Sequence, residues 1–193
     1  MKILIAVPTS GIIEPEVFKA IYGIQSDHDL YFDFVRGYDC ATARNNIARK
    51  AIEGGFDYVL MIDSDTIVPD TALDLMLDPP VDVCLGVCPR KNTTEGKSAM
   101  IKWESRDFSE NWYYKDLPEG RTRIWAGGFA CALIRVSILS VLPEPWFNYP
   151  TNEQGGTLSE DFYFCKNANT LGFTVEMDPR VRCGHLARYF QYE

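Results

Sequence analysis

Two aspartates separated by one residue, Asp63 and Asp65, follow five apolar residues at positions 58–62. If this apolar run is a strand that continues through the triplet, residues i and i+2 point to the same side, so both carboxylates face one crevice. Carboxylates this close repel each other unless a cation neutralises them, and Mg²⁺ or Mn²⁺ prefers oxygen ligands that it shares with substrate phosphates. The triplet therefore predicts a site for a divalent cation and a diphosphate.

The same triplet also has a purely structural interpretation. Asp65 or Thr66 could open a turn before a helix near Asp70, because aspartate and threonine are common helix caps. The buried strand predicted directly before the triplet favours the cation site, since open α/β sheets bind their ligands at the carboxyl ends of the strands.

Four other polar residues stand where predicted elements begin or end. Arg44, near a helix start, could offer its guanidinium fork to a base, a ribose or a phosphate, and a solvated helix charge is the alternative. Glu160 and Asp161 open another helix, where the helix dipole favours carboxylates, so helix capping is the alternative to catalysis. His185 follows a predicted strand and is one of two histidines in the chain. Its imidazole is a candidate metal ligand.

These residues need a scaffold, and the apolar pattern predicts an α/β domain. Apolar runs alternate with helical patterns, which is typical of a largely parallel sheet with helices on both faces. Helices are predicted at 15–22, 42–53, 70–77 and 160–171, with a short one ending at 142. Strands are predicted at 2–7, where Pro8 ends the strand, and at 30–35, 58–62, 81–87, 129–134, 174–177 and 181–183.

The connecting segments differ in character. Residues 91–96 read as a mobile loop, and the aromatic residues 112–114 as an edge strand or a lid. Residues 143–156 contain three prolines and two adjacent glycines, which predicts an irregular loop on the surface.

Length and composition limit the organisation and the partners of the chain. With 193 residues, of which 46% are apolar, the chain can bury one sizeable core, so we expect a single domain. Its net charge of −8 disfavours nucleic acid as a partner but allows a local basic pocket. No run of about 18 apolar residues appears, which predicts a cytoplasmic protein without a membrane span. Its six cysteines are then expected to be reduced, and an oligomer is compatible with the composition.

Four segments resemble motifs of the GT-A fold glycosyltransferases, especially the family-2-like group with its short bacterial and bacteriophage members. Residues 58–65 look like the strand and DxD motif of that fold, and residues 43–46, Ala-Arg-Asn-Asn, are similar to its "ARN" helix. Gly127 and Gly128 before an apolar strand resemble the donor-site segment, and residues 159–161, Ser-Glu-Asp, look like the "ED" acceptor-side motif. The four segments occur in the order that the family has.

The resemblance implies a fold and a reaction. The fold would be a single GT-A domain over residues 1–193 with a mixed, mostly parallel central sheet flanked by helices. Residues 1–88 would form the nucleotide-binding half, and residues 89–193 the acceptor side, which completes the metal site. The implied activity is that of a hexosyltransferase that moves a sugar from a nucleoside diphosphate sugar, with a UDP-sugar favoured, to a hydroxyl acceptor with Mn²⁺ or Mg²⁺. Because the chain lacks the Gln-x-x-Arg-Trp motif of processive synthases, we expect it to add one sugar.

The same resemblance assigns roles to individual residues. Asp65 and His185 would bind the metal, while Asp63 would reach the ribose or the metal. Asp161, with Glu160 beside it, would be the general base that takes a proton from the acceptor hydroxyl. The nucleotide is expected to contact Pro8, Ser10, Arg44 and Asp63. The donor sugar or the acceptor is expected to contact Gly127, Gly128 and Trp125.

Three rival functions remain at this stage. Residues 63–67 nearly fit the Asp-x-Asp-x-Thr/Val motif of haloacid-dehalogenase-like phosphatases, in which the first aspartate is a nucleophile. That motif usually sits on an early strand, and no downstream lysine with an acidic pair follows here. A glycoside hydrolase would need two carboxylates but no metal. The non-enzyme alternative is a non-catalytic module that binds nucleotide sugars.

Overall fold

The structure, a computed structural model, describes residues 1–91, 97–105, 116–151 and 155–186. Its helices are α1 (Pro15–Tyr22), α2 (Cys40–Glu53), α3 (Ala72–Leu77), α4 (Val136–Leu139) and α5 (Glu160–Thr170). Its strands are β1 (Lys2–Thr9), β2 (Asp29–Arg36), β3 (Tyr58–Ile62), β4 (Thr66–Ile67), β5 (Val83–Val87), β6 (Met100–Lys102), β7 (Thr122–Gly127), β8 (Cys131–Arg135), β9 (Val175–Arg182) and β10 (Gly184–His185).

Eight of the described strands form one large mixed sheet in the order β2-β1-β3-β8-β5-β9-β7-β6, and β4 and β10 form a separate two-stranded sheet. β1 is parallel to β2 and β3, and β5 is parallel to β9. β8 lies between β3 and β5 and is antiparallel to both, so β2, β1, β3, β5 and β9 all run in one direction. The mixed, mostly parallel sheet that was predicted is confirmed.

Helices cover both faces of this sheet and bury two apolar cores. α2, α4 and α5 pack on one face, and α1 and α3 pack on the other. Along β3, successive side chains enter opposite cores, with Val59 and Met61 in the first and Leu60 and Ile62 in the second. This explains why β3 is a continuous apolar run instead of an alternating one. No helix in the described ranges is long and apolar enough to cross a membrane.

Pro8 and Pro179 lie inside strands at places where the sequence pattern predicts a break. The prediction that Pro8 ends the first strand is wrong, because β1 continues to Thr9. β3 pairs with β1 only as far as Ala6, so at Pro8 no N–H is required on the β3 side. The strands predicted at 174–177 and 181–183 are one strand, β9, whose pairing with β5 shifts register in the region of Pro179.

The short helix α4 ends at Leu139, three residues before the predicted end at 142, and the other predicted boundaries agree with the observed ones to within two residues. Asp39 begins the long helix α2, because its carboxylate accepts a hydrogen bond of 2.7 Å from the N–H of Thr42. The loop predicted at 91–96, apart from Lys91, and the aromatic segment 112–114 lie outside the described residues.

Asn45, on the buried face of α2, fixes the irregular loop that follows α4. Its Nδ2 atom donates to the carbonyl oxygen of Phe147 at 2.8 Å, and its Oδ1 atom accepts from the N–H of Phe147 at 3.1 Å. Since Asn45 is only 8% exposed, water cannot readily replace these bonds. The loop is thereby held against the helix that carries Arg44.

We expect Asn45→Ala to lower the free energy of unfolding by about 2–4 kcal/mol, because two buried backbone groups lose their partners. Asn46→Ala on the same helix is the matched control, because Asn46 accepts a hydrogen bond from Arg49 at an exposed position. That variant should change stability by less than about 0.5 kcal/mol. Urea unfolding followed by circular dichroism measures both. Equal effects of the two substitutions would contradict the role of Asn45.

Candidate functional site

A cavity of about 420 Å³ opens where the carboxyl ends of β3, β5 and β9 converge. Ligands of open α/β sheets bind at such ends. Polar residues that follow these strands line it together with the start of α5, namely Asp63, Asp65, Arg90, Lys91, Asp161 and His185. The structure thus brings together both aspartates of the triplet, the late histidine and one carboxylate of the "ED" segment.

The triplet itself is a tight turn and not an extended strand end. The N–H of Thr66 donates to the carbonyl oxygen of Asp63 at 3.0 Å, and Thr66 then begins β4. A turn at this place agrees with the structural interpretation of the triplet, but neither Asp65 nor Thr66 caps the next helix, because α3 begins at Ala72 with Thr71 as its cap residue. Both carboxylates nevertheless line the same cavity.

A two-residue ladder brings His185 beside Asp65. β10 pairs antiparallel with β4, so that His185 lies opposite Thr66, and the N–H of Leu186 donates to the carbonyl oxygen of Asp65 at 2.9 Å. The imidazole Nε2 of His185 lies 3.3 Å from Asp65 Oδ1, and its Nδ1 lies 2.7 Å from the carbonyl oxygen of Pro89. The hydrogen bond to Asp65 raises the pKa of His185 to about 10. Both ring nitrogens then donate in the ligand-free state.

Asp65 is held by two cationic side chains at once. Its Oδ2 atom contacts the Nζ of Lys91, while His185 occupies Oδ1. The hydrogen bond from His185, together with Lys91, lowers the pKa of Asp65 to about 2. The Asp65 carboxylate is therefore ionised over the physiological pH range, as a metal ligand must be.

The carboxylate of Asp63 forms an ion pair with a buried arginine, Arg44. The Nη2 atom of Arg44 lies 2.7 Å from Asp63 Oδ1, and its Nε lies 3.3 Å from Glu160 Oε1. The side chain of Arg44 is only 2% exposed, and its Cζ lies 5.7 Å from the ring centroid of Phe129. Arg44 thus stands behind Asp63, outside the cavity wall, and its expected contact to a nucleotide stays a prediction.

The Nη1 atom of Arg44 has no hydrogen-bond partner among the described residues. The Glu160 carboxylate pairs with the Nε of Arg44, and its charge also helps to raise the pKa of the Tyr149 hydroxyl and of the Cys40 thiol. Burial is the larger cause of both pKa shifts. Glu160 is thereby committed to internal partners.

Asp161 differs from Glu160 because it faces the cavity. Its Oδ1 atom accepts hydrogen bonds from the hydroxyl of Ser159 and, at 2.8 Å, from the N–H of Phe162. The side chain of Ser159 makes no capping hydrogen bond to the helix. Burial and the neighbouring Glu160 raise the pKa of Asp161, which makes its carboxylate a better proton acceptor.

The glycine pair and Trp125 are placed differently from one another. Gly128 lines the cavity, and a Cβ atom there would lie 3.6 Å from Asp161 Oδ2. Gly127 is buried in the sheet, where a Cβ atom would lie 2.7 Å from Leu85 Cδ1, so its small size serves packing. Trp125 packs against the core and tilts against Trp103, with 5.7 Å between the ring centroids, and is not part of the cavity wall.

Pro8 and Ser10 line a second, smaller pocket of about 230 Å³. This pocket lies between the carboxyl ends of β1 and β2 and is completed by Tyr38, Asp39 and Cys40 at the start of α2. The two pockets lie along the same edge of the sheet, because β1, β3 and β5 run in one direction.

The sequence analysis does not identify Arg90, Lys91 or Tyr149 as residues of the site. Arg90 and Lys91 closely follow the buried strand β5, and this position marks them as neighbours of the triplet. Tyr149 carries no comparable signal, because only the fold brings its loop against Glu160.

The donor set suits a hard divalent cation. Asp65 offers carboxylate oxygens, His185 offers an imidazole nitrogen, and the Oδ2 atom of Asp63 takes part in no hydrogen bond with the described residues. Mg²⁺ and Mn²⁺ accept such ligands and complete their shells with water and substrate phosphates. Among the described residues, no three His, Cys, Asp or Glu side chains are arranged to hold an ion by themselves.

The sequence matches no protein-family model and no curated protein. The fold, in contrast, is shared with solved structures. A197 from STIV aligns with a TM-score of 0.67 at 18% identity, over 97% of this chain and 87% of that one. GalNAc-T7 with UDP, GalNAc and Mn²⁺ aligns with a TM-score of 0.66 at 11% identity, over 97% of this chain and 43% of that one.

A third structure, the inositol-1-phosphate CTP transferase from T. maritima, aligns with a TM-score of 0.53 at 12% identity. The alignment covers 96% of this chain and 89% of that one. At these identities the likeness concerns the fold alone, which is the GT-A fold. The chain spans less than half the length of GalNAc-T7.

We expect Arg44→Met to lower the free energy of unfolding by about 3 kcal/mol, because the carboxylates of Asp63 and Glu160 lose their buried partner. Arg49→Met on the same helix is the matched control, since Arg49 is 47% exposed and pairs with Glu144 at 3.2 Å. The control should cost less than about 1 kcal/mol.

Chemical denaturation of both variants measures the difference. Adding Asp63→Asn and Glu160→Gln to Arg44→Met removes the uncompensated charges and should recover part of the lost stability. Stability of Arg44→Met equal to that of Arg49→Met would show that the buried pairing has no structural role.

Proposed function

We propose that the chain transfers a sugar from a nucleoside diphosphate sugar to a hydroxyl acceptor, with Mn²⁺ or Mg²⁺ bound at Asp65. The observation that supports this proposal is the arrangement of the side chains around one cavity in a GT-A fold. Cation ligands, Asp65 and His185, lie on one side of the cavity, and an uncommitted carboxylate, Asp161, lies on another. The structural neighbour GalNAc-T7 contains UDP, GalNAc and Mn²⁺, which supports a UDP-sugar as the donor.

On the donor side, Asp65 and His185 would hold the cation, and the free Oδ2 of Asp63 would reach the cation or the ribose. When bound, the cation would supply Lewis-acid stabilisation of the leaving diphosphate. The guanidinium of Arg44 orients Asp63 for this role from within the core. The pocket lined by Pro8 and Ser10 would accommodate the nucleoside, since it lies along the same sheet edge.

On the acceptor side, Asp161 would take the proton of the attacking hydroxyl. Its Oδ1 is fixed by Ser159 and Phe162, so Oδ2 is the atom left to accept a proton. Its raised pKa suits a general base, because the carboxylate binds a proton more readily than an exposed aspartate does.

Three residues take supporting roles in the proposal. Glu160 would position Arg44 instead of moving a proton, because its carboxylate pairs with that buried guanidinium. Gly128 would leave room for the donor sugar beside Asp161, because a side chain there would approach the carboxylate. Trp125 would support the site indirectly, through its packing against the core, since it does not reach the cavity wall.

The phosphatase alternative fits this geometry less well. A phosphatase of that kind needs Asp63 as a free nucleophile, whereas its Oδ1 is bound to a buried guanidinium. The fold comparisons give no support for that alternative. The non-catalytic module differs from the proposed enzyme only in turnover, so the test must measure binding and turnover separately.

The binding test is a thermal-shift panel of UDP, GDP, ADP, CMP and dTDP with and without Mn²⁺. We expect one nucleotide to raise the melting temperature by more when Mn²⁺ is present than when it is absent, because the bound cation adds a link between the nucleotide and Asp65. Asp65→Ala should abolish this metal-dependent shift, while Asp70→Ala, an exposed aspartate nearby, should keep it. If no nucleotide stabilises the wild type in a metal-dependent way, the glycosyltransferase proposal fails.

The turnover test measures release of the nucleotide from its sugar donor, with water and simple sugars as acceptors. Asp161→Asn should keep the thermal shift but lower the rate at least about 100-fold, as the loss of a general base predicts. Nucleotide binding without turnover in both proteins would favour the non-catalytic module. Hydrolysis of a generic phosphate ester would favour the phosphatase.

A further inference from the structure

Lys91 occupies the place beside Asp65 where a divalent cation would bind. Its ammonium contacts Asp65 Oδ2, and His185 contacts the other oxygen of the same carboxylate. Each oxygen of the Asp65 carboxylate thus has a partner, Lys91 at Oδ2 and His185 at Oδ1. A cation that binds Asp65 through Oδ2 must displace Lys91.

The contact between Lys91 and Asp65 is easy to break. The two side chains are 46% and 31% exposed, and ion pairs at this exposure contribute at most about 1 kcal/mol. Lys91 also has four freely rotating side-chain carbons, so its ammonium can reach a new partner without a change in the backbone. Held on Asp65, it functions as a weak substitute for the cation.

The same cavity offers Lys91 an alternative partner once a donor is bound. A diphosphate carries charges that an ammonium binds as strongly as it binds a carboxylate. Lys91 lines the cavity together with Arg90 and His185, so an approaching diphosphate meets several cationic side chains there. Lys91 differs from Arg90 because its ammonium contacts Asp65 Oδ2, the oxygen that a cation would take.

We propose that Lys91 is a diphosphate-binding residue that exchanges partners, from Asp65 in the ligand-free protein to the diphosphate of the bound donor, and so frees Asp65 for the cation. This inference rests on the proposed function, because it requires a donor with a diphosphate. Binding of the donor and binding of the cation then favour each other beyond their direct contact, since each removes a competitor of the other. Neither ligand alone gains the full binding energy of the pair.

The exchange predicts opposite effects of one substitution on the two ligands. Lys91→Met keeps the aliphatic part of the side chain and removes the charge. Without nucleotide, this variant should bind Mn²⁺ about fivefold more tightly than the wild type, because Asp65 Oδ2 is free. Without metal, it should bind UDP about tenfold more weakly, because a charge-assisted hydrogen bond is lost.

Lys50→Met is the matched control. Lys50 contacts Asp33 on the far side of α2, with side chains that are 55% and 30% exposed, so it forms the same kind of pair away from the cavity. The substitution changes the net charge by the same amount. Lys91→Arg, which keeps the charge, should bind Mn²⁺ as weakly as the wild type and restore the UDP affinity.

Electron paramagnetic resonance of free Mn²⁺ measures the metal affinity, and calorimetry in EDTA measures the UDP affinity. Tighter Mn²⁺ binding and weaker UDP binding by Lys91→Met, with Lys50→Met unchanged, establish the exchange. Equal behaviour of Lys91→Met and Lys50→Met, with UDP bound in both, overturns the role of Lys91 and leaves the proposed function intact. Failure of every protein, including Lys50→Met, to bind UDP with Mn²⁺ contradicts the proposed function itself.

Discussion

The buried guanidinium of Arg44 sets the geometry on which the site depends. A charge that is 2% exposed is tolerated only when opposite charges surround it, and here Asp63 at the end of β3 and Glu160 at the start of α5 supply them. Each of these carboxylates adjoins a residue that faces the cavity, Asp65 on one side and Asp161 on the other. One internal cation thereby fixes the separation between the cation ligand and the candidate base.

The second constraint is the convergence of three parallel strands. β3, β5 and β9 end at one edge of the sheet, and the chain beyond each end delivers Asp65, Lys91 and His185 respectively. The short ladder between β4 and β10 then holds the imidazole against the carboxylate. Residues far apart in the chain thus form one site, and no single loop has to supply all of its side chains.

The charges in the cavity are balanced locally although the chain carries a net charge of −8. The carboxylates of Asp63 and Asp65 pair with Arg44, Lys91 and His185, whereas Asp161 forms no ion pair with another described residue. A diphosphate with a divalent cation adds charges of both signs and can enter such a site without leaving one sign in excess. A protein with a negative net charge can therefore bind a diphosphate together with its divalent cation.

The sequence by itself determined the α/β alternation, the strand at 58–62 with its two aspartates and the acidic start of α5, because each depends on periodicity and residue type over a short stretch. The partners of Arg44, the contact of Lys91 with Asp65 and the persistence of β1 through Pro8 were decided only by the tertiary structure. Arg44 and Glu160 are 116 residues apart, and Lys91 and Asp65 are 26 apart. Whether a charged side chain is buried, or whether a neighbouring strand stops short of a proline, follows from which segments meet. No local pattern contains that information.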